Sequence, residues 1–189
     1  MEEKNNHRSG FISIIGNPNV GKSTLLNALV GRELSIITEK AQTTRHRILG
    51  IVNGEDFQMV LSDTPGVIKP AYEMQSSMMN FVKEALIDAD ILVYVVTSLE
   101  TELKDEKFFE RIKKSKAPLF ILVNKIDLSS QELVEQTVAH WQSVFPKAKV
   151  LPISALTGFF VSELLDLLTK LLPLSPPYFP KDQLTDKPE

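Results

Sequence analysis

The 189-residue chain contains no cysteine and a single tryptophan. Without cysteine, disulfide bonds and cysteine-ligated metal sites are excluded, and this usage is typical of the reducing cytosol. The chain also lacks an apolar run of the ~18 residues that a membrane-spanning helix needs. Its polar start, MEEKNNHRSG, predicts that no signal peptide is present. We therefore expect a cytoplasmic globular protein.

The chain has no excess of positive charge either. It carries 21 basic and 24 acidic residues, for a formal net charge of −3. A domain that binds the nucleic-acid backbone normally presents a basic face. The composition therefore predicts that any nucleic-acid contact lies in a local patch or outside these residues.

Short apolar, β-branched runs alternate with amphipathic stretches, which predicts an α/β domain with a mostly parallel sheet. Two of the strands are expected to pair antiparallel through a hairpin turn at Asn53-Gly54, which places one antiparallel strand at an edge. Helices are expected on both faces of the sheet. The six expected strands cover residues 11–15, 45–52, 57–61, 91–96, 119–123 and 149–153, and helices follow the first strand and cover 80–88, 103–114, 130–145 and 161–171.

The amino-acid composition of the chain changes after residue 172. The tail LPLSPPYFPKDQLTDKPE contains five of the eleven prolines and shows no helical period. We therefore expect one folded domain over residues 1–172, followed by a proline-rich linker over residues 173–189.

The segment GNPNVGKST, residues 16–24, fits the phosphate-loop pattern G-x-x-x-x-G-K-[ST] between a strand and a helix. Lys22 lies at the start of that helix, where a positive charge is unfavourable unless an anion lies beside it. Lys22 is expected to reach the terminal phosphates of a nucleotide, and Ser23 to give its hydroxyl to Mg²⁺. The expected nucleotide contacts in this segment are Gly16, Asn17, Asn19, Val20, Gly21, Lys22, Ser23 and Thr24.

The tetrapeptide NKID, residues 124–127, follows a buried strand and predicts which base is bound. The Asp127 carboxylate would accept both donors on guanine's Watson–Crick edge, which adenine lacks, and such sites discriminate by roughly 10⁴-fold or more. Asn124 is expected to tie this loop to the phosphate loop, and Lys125 to lay its aliphatic stem over the base. The segment SAL after the last strand is expected to offer a backbone N–H to guanine's O6, and it comprises Ser154, Ala155 and Leu156.

Two further segments are expected to meet the metal and the terminal phosphate. In DTPG, residues 63–66, Asp63 is expected to bind Mg²⁺ through water, and the Gly66 N–H to meet the γ-phosphate. In AQTTRHR, residues 41–47, we favour Thr44 over Thr43 as the hydroxyl that completes the Mg²⁺ shell. Taken alone, the first segment is equally consistent with a Pro-Gly turn and the second with an ordinary exposed loop.

Together and in this order, GNPNVGKSTLLNALVG, AQTTRHRILGI, SDTPG, NKID and SAL resemble the Era family of bacterial GTPases. The proline-rich tail is also similar to the segment that precedes the RNA-binding KH domain in that family, so the resemblance runs from about residue 11 to residue 189. It implies a three-layer phosphate-loop GTPase fold and a switch that hydrolyses GTP to GDP with Mg²⁺. It also implies a role in 16S rRNA processing and 30S ribosomal subunit assembly, and peripheral association with the inner membrane.

The chain departs from this family in its RNA-binding part. A KH domain needs a G-x-x-G loop, and none of the eight glycines forms one. The expected KH domain is therefore absent from these residues, and we expect weak or no RNA binding by residues 1–189.

Val67 stands where Ras-like enzymes have the glutamine that orients the attacking water. Because valine neither donates nor accepts a hydrogen bond, we expect a slow unaided reaction. The resemblance implies that Asn19 holds a potassium ion near the phosphates, as in related GTPases with a hydrophobic residue at this position; the alternative is that Asn19 hydrogen-bonds only its own loop. The expected catalytic residues are Lys22, Asn19, Thr44 and Gly66.

Two alternatives to a GTP hydrolase remain open on the sequence alone. The first is a phosphate-loop ATPase or kinase, which the NKID segment disfavours. The second is a GTP-binding scaffold with negligible turnover, which Val67 leaves open. Comparing turnover of GTP and ATP would separate the three.

Overall fold

The computed structural model describes residues 6–31, 35–36, 48–63, 89–100 and 106–181 of the chain. The described strands are β1 (Arg8–Gly16), β2 (Ser35–Ile36), β3 (Ile48–Asn53), β4 (Phe57–Asp63), β5 (Ile91–Thr97), β6 (Leu119–Asn124) and β7 (Lys149–Pro152). The described helices are α1 (Lys22–Val30), α2 (Glu106–Lys114), α3 (Gln131–Val144) and α4 (Val161–Leu171). The expected helix at residues 80–88 lies outside the described residues.

All the described strands join one sheet in the order β2-β3-β4-β1-β5-β6-β7. Strands β4, β1, β5, β6 and β7 are parallel, whereas β3 runs antiparallel to β4. The prediction of a mostly parallel six-stranded sheet with one antiparallel strand is confirmed. The structure adds the two-residue β2, which pairs outside β3.

The hairpin between β3 and β4 is confirmed, but its turn lies later than expected. Asn53 pairs with Gln58 inside the ladder, and the turn spans residues 54–56. It is closed by a bond of 2.9 Å from the Gly54 N–H to the Phe57 carbonyl. A side chain at Gly54 would collide with the Phe57 ring, so close packing against this ring accounts for the glycine.

Strand β1 lies at the point where the chain changes direction across the sheet. The chain leaves β1 toward β4 and β3 on one side, and it later continues through β5, β6 and β7 on the other. Ligands of open α/β sheets bind at the carboxyl ends of the strands at such a switch point. Here that position is Gly16, the last residue of β1 and the first of the phosphate-loop pattern.

Buried side chains fill both faces of the sheet, and described helices pack on both. On one face, Ile12 and Ile14 of β1 pack with α1 and α4 residues such as Leu25 and Leu164. The opposite face holds Ile15 together with residues of β5, β6, α2 and α3. The prediction of helices on both faces is confirmed. Among the described helices, none has the length and apolar character required to cross a membrane.

Residues 172–181 of the proline-rich tail lie along the sheet. The Ser9 N–H donates to the Pro173 carbonyl at 3.1 Å, and the Ser175 N–H donates to the His7 carbonyl at 3.0 Å. Further along, the tail crosses to β4, where the buried Gln58 side chain bonds both backbone groups of Phe179, at 2.9 and 3.0 Å. The described tail residues therefore pack on the domain, and the domain boundary expected at residue 172 stays a prediction.

Candidate functional site

The segment after β1 folds as a tight loop that ends where α1 begins. Gly21 has φ 99°, a left-handed conformation that favours glycine. A side chain there would also collide with the Asn124 amide. Asn19 is left-handed too, at φ 65°, which asparagine tolerates better than most residues. The backbone of this loop is thus curved in the way that turns N–H groups toward an anion.

Lys22 lies buried at the start of α1, inside this loop. Its Nζ donates to the carbonyls of Gly16 at 3.1 Å and Asn17 at 2.9 Å. The first turn of α1 contains no acidic residue, so no side chain of that turn compensates the positive end of the helix. Ser23 and Thr24 are exposed on the same turn. This arrangement fits a bound phosphate, with the Ser23 hydroxyl accessible to a metal ion.

Asn124, the last residue of β6, joins three segments through its side chain. Its Nδ2 donates to the Val20 carbonyl at 2.9 Å, and its Oδ1 accepts from the Ala155 N–H at 2.9 Å. Both bonds are buried. The tie between NKID and the phosphate loop, which we expect from the sequence, is present, and it extends to the SAL segment.

Lys125 forms a second link between the same two loops. It is left-handed, at φ 62°. Its Nζ donates to the Asn19 carbonyl at 2.6 Å, so its side chain extends toward the phosphate loop. The expected contact of its aliphatic stem with a base stays a prediction.

The Asp127 carboxylate is exposed, and one of its oxygens accepts a hydrogen bond from a buried serine. Ser154, which is buried, donates its hydroxyl to Asp127 Oδ1 at 2.6 Å and accepts from the Thr157 N–H at 3.2 Å. Because the serine orients the carboxylate, Asp127 presents a defined acceptor at the carboxyl end of the sheet. Base recognition by Asp127 stays a prediction at this point.

The SAL segment lies beside Asp127, as its position after β7 predicts. The Ala155 N–H already donates to Asn124 in this structure. The prediction that this segment donates a backbone N–H to guanine's O6 is therefore untested, and Ala155 would have to share or exchange its present acceptor. Leu156 is exposed at the rim of the site.

Four positions that the sequence analysis considers lie outside the described residues: Thr43, Thr44, Gly66 and Val67. Asp63 is described as the last residue of β4. Because β4 is the parallel neighbour of β1, its carboxyl end lies at the same edge of the sheet as the phosphate loop.

The sequence analysis missed Glu100. Its Oε1 accepts from Asn17 Nδ2 of the phosphate loop at 2.6 Å. Glu100 follows β5, at the same edge of the sheet as the other site residues. The rule that functional residues follow the carboxyl ends of strands would have pointed to the segment TSLE.

A curved loop at the positive end of a helix, joined by Asn124 to a loop with an oriented carboxylate, defines a phosphate-loop nucleotide-binding domain. Residues 11–125 match the family model described as 50S ribosome-binding GTPase. The chain belongs to this family.

Among curated proteins, the chain is similar to GTPase Era of Clostridium kluyveri, with 43% identity over 96% of this chain and 62% of that protein. GTPase Era of Clostridium beijerinckii is 41% identical over 96% of this chain and 61% of that protein. The resemblance to Era GTPases is thus confirmed. The chain spans about three fifths of the length of these relatives.

Solved structures of Era show the same fold. A crystal structure of Era in complex with MgGDPNP and nucleotides 1506–1542 of 16S ribosomal RNA superposes with a TM-score of 0.80 at 36% identity, over 96% of this chain and 63% of that one. An Aquifex aeolicus Era variant bound to GDP and AlF₄⁻ gives a TM-score of 0.79 at 36% identity, over 96% of this chain and 62% of that one. The predicted three-layer phosphate-loop GTPase fold is confirmed.

Proposed function

We propose that this domain binds GTP and hydrolyses it to GDP and phosphate with Mg²⁺. The observation that carries the proposal is the Asn124 side chain, which joins the phosphate loop to the loops of Asp127 and Ala155. Through this link, the group that would choose the base and the groups that would hold the phosphates form one site. The Era structure bound to MgGDPNP supports the same nucleotide class.

The residues of this chain would act mainly by binding and orientation. Lys22 and the backbone of residues 16–21 would hold the phosphates, with Ser23 and, through water, Asp63 beside the metal. Mg²⁺, when bound there, would neutralise charge on the β- and γ-phosphates. Thr44 would complete the metal shell, and the Gly66 N–H would meet the γ-phosphate. Since Val67 offers no hydrogen bond to water, the reaction without a partner is slow.

The base specificity rests on Asp127, and one substitution tests it. Asp127→Asn should lose affinity for GTP and gain affinity for xanthosine triphosphate, because xanthine has a carbonyl where guanine has the amino group. Isothermal titration with GTP, ATP and xanthosine triphosphate measures both changes, and single-turnover assays measure hydrolysis. Wild-type preference for ATP would identify an ATPase or kinase, and GTP binding without turnover would identify a scaffold. Unchanged GTP affinity in the variant would remove Asp127 from the base site.

We propose in addition that Asn19 holds a potassium ion beside the phosphates. Asn19 lies exposed in the loop, and its side-chain amide forms no hydrogen bond within the described part of the chain. This differs from the alternative in which Asn19 bonds its own loop. A cation there would neutralise charge that develops between the β- and γ-phosphates.

Hydrolysis should accordingly be faster in KCl than in NaCl at equal ionic strength, and Asn19→Ala should abolish the difference. Single-turnover rates in the two salts test this, with GTP affinity measured alongside. Equal wild-type rates at unchanged affinity would contradict the potassium site.

We propose that this protein acts in 16S rRNA processing and 30S subunit assembly. The support is the Era structure that contains a 16S rRNA fragment. Because the net charge is −3, residues 1–189 carry no excess of basic side chains for binding the RNA backbone. Electrophoretic mobility shifts with a 16S rRNA 3′ fragment should show weak or no binding by these residues, and a tight, sequence-selective complex would contradict this assignment.

Localisation in the cytoplasm, with peripheral association at the inner membrane, belongs to the same proposal. It rests on the family resemblance. Flotation of the protein with vesicles of bacterial lipids tests it, and failure to float in either nucleotide state would contradict it.

A further inference from the structure

Glu100 lies in the turn after β5 and binds the phosphate loop through a single side chain. Asn17 Nδ2 donates to Glu100 Oε1 at 2.6 Å, which is a short, charge-assisted distance. A carboxylate only accepts, so the Asn17 atom that faces it must be the amide nitrogen. Asn17 is only 3% exposed. The contact is therefore oriented and shielded from water on the loop side.

The other carboxylate oxygen of Glu100 is also engaged. Oε2 accepts from the Thr97 N–H at 2.9 Å and from the Thr97 hydroxyl at 3.3 Å. The Glu100 N–H in turn donates to the Thr97 carbonyl at 3.1 Å. These bonds close the turn at the end of β5 and fix the carboxylate in one orientation.

The turn is anchored on helix α3. Trp141 is fully buried, and its Nε1 donates to the Glu100 carbonyl at 3.1 Å. The Thr137 hydroxyl lies 3.1 Å from the Ser98 carbonyl and 2.8 Å from the Leu133 carbonyl of α3, and it shares its proton between them. Because α3 begins shortly after the NKID segment, one rigid helix supports both the base loop and the carboxylate that holds the phosphate loop.

Asn17 is consequently held from two sides. Lys22 Nζ binds its carbonyl at 2.9 Å, while Glu100 binds its side chain. A loop that is already ordered loses less entropy when an anion binds, so such fixing raises affinity. The Lys22 contact belongs to the phosphate-loop pattern, whereas the Glu100 contact comes from a segment outside every motif.

We propose that Glu100 is a positioning residue of the phosphate-binding loop, which acts through Asn17 to hold the loop in its binding shape. The proposal rests on nucleotide binding by this loop, as proposed above. It predicts that Glu100 and Asn17 act as one unit on nucleotide release.

The test is a double-mutant cycle on the dissociation of a fluorescent GDP analogue from the whole chain. Glu100→Ala and Asn17→Ala should each speed dissociation about tenfold, the scale of a charge-assisted hydrogen bond. The double variant should be no faster than either single variant, because both remove the same contact. Glu100→Gln keeps an oxygen that can accept from Asn17, so its dissociation rate should lie between those of wild type and Glu100→Ala.

Glu135→Ala is the matched control. It removes a carboxylate that accepts from a side-chain amide, Gln131 Nε2, at 2.8 Å on the exposed face of α3, so dissociation should change less than twofold. Additive effects of Glu100→Ala and Asn17→Ala, or a Glu100→Ala rate within twofold of wild type, would overturn the proposal.

A second measurement needs no nucleotide and separates this proposal from the proposed function. In nucleotide-free protein, Glu100→Ala should raise amide hydrogen exchange of residues 17 and 19–21 by more than threefold relative to Glu135→Ala. If wild type bound no guanine nucleotide, the proposed function would fail, and this exchange would still decide the role of Glu100. Equal exchange in the two variants would overturn it.

Discussion

Replacing Asn124 by alanine should lower the stability of the folded protein even when no nucleotide is bound. The Asn124 amide already bonds the Val20 carbonyl and the Ala155 N–H, each at 2.9 Å, and both bonds are buried. Asn124→Ala leaves these two backbone groups without their partner. The cost of an unsatisfied buried group is about 1–3 kcal/mol. Two such groups would together cost about 2–6 kcal/mol. Water can partly enter the space left by the side chain, so we expect a cost in the lower half of this range.

We therefore expect Asn124→Ala to lower the free energy of unfolding by about 3 kcal/mol. For a domain of this size, 1 kcal/mol shifts the melting midpoint by ~2–4 °C, so the expected shift is ~6–12 °C. Urea and thermal unfolding of nucleotide-free protein measure this change. GDP affinity should fall as well, because the two loops lose their fixed relative position.

Asp90→Ala is a suitable control for the effect of reduced stability itself. Asp90 Oδ2 accepts from the Phe11 N–H at 2.8 Å, and Asp90 precedes β5, at the edge of the sheet opposite the loops. Its loss should cost about 1–3 kcal/mol of stability and leave GDP affinity unchanged. If Asn124→Ala unfolded at the wild-type midpoint while GDP affinity fell, the link between the loops would form only with nucleotide, and our reasoning would be refuted.

Two further predictions concern stability. Gln58→Leu should lower the free energy of unfolding by about 1–3 kcal/mol and expose the tail to proteolysis, because it removes both bonds to the Phe179 backbone. The control is Gln136→Ala, which removes an exposed amide that donates to Glu132 at 3.3 Å. Equal urea midpoints for the two variants would contradict the tail contact. Burial, and secondarily Glu100, raises the pKa of Tyr94 above its ordinary value. The unfolded chain therefore ionises first, so Tyr94 should reduce stability as pH rises above ~10. Urea midpoints at pH 8 to 11 should fall less steeply for Tyr94→Phe than for wild type, and parallel curves would contradict this.

The elements that a local pattern defines were predictable from the sequence. The continuous apolar runs of β5 and β6 are typical of strands buried on both faces, and both lie in the interior of the sheet. The phosphate-loop pattern places Gly21 and Lys22 at the start of a helix. Glycine is favoured there because the backbone is left-handed, and lysine is favourable there when an anion lies beside it. Periodicity predicts α4 over the residues that form it, since its apolar face must pack on the sheet.

The contacts between loops could not be predicted in the same way. Asn17 and Glu100 are 83 positions apart, and their contact depends on β1 and β5 being neighbours in the sheet. The position of the tail on the sheet could not be predicted either. Its hydrogen bonds are made by Gln58 and by backbone groups, and these leave no periodic pattern in the sequence. A linear pattern contains no information on which distant side chain meets an unpaired amide.

The sequence by itself determined the order of the longer described strands and helices, the phosphate loop and the chemical groups at the strand ends, because these depend on local conformation and on residue type. Only the tertiary structure decided which groups hold one another: Ser154 on Asp127, Asn124 on Val20 and Ala155, and Glu100 on Asn17. The physical reason is that parallel strands bring their carboxyl ends together at one edge of the sheet. Residues far apart in the chain then meet within hydrogen-bond distance, and burial makes each unmatched polar group costly.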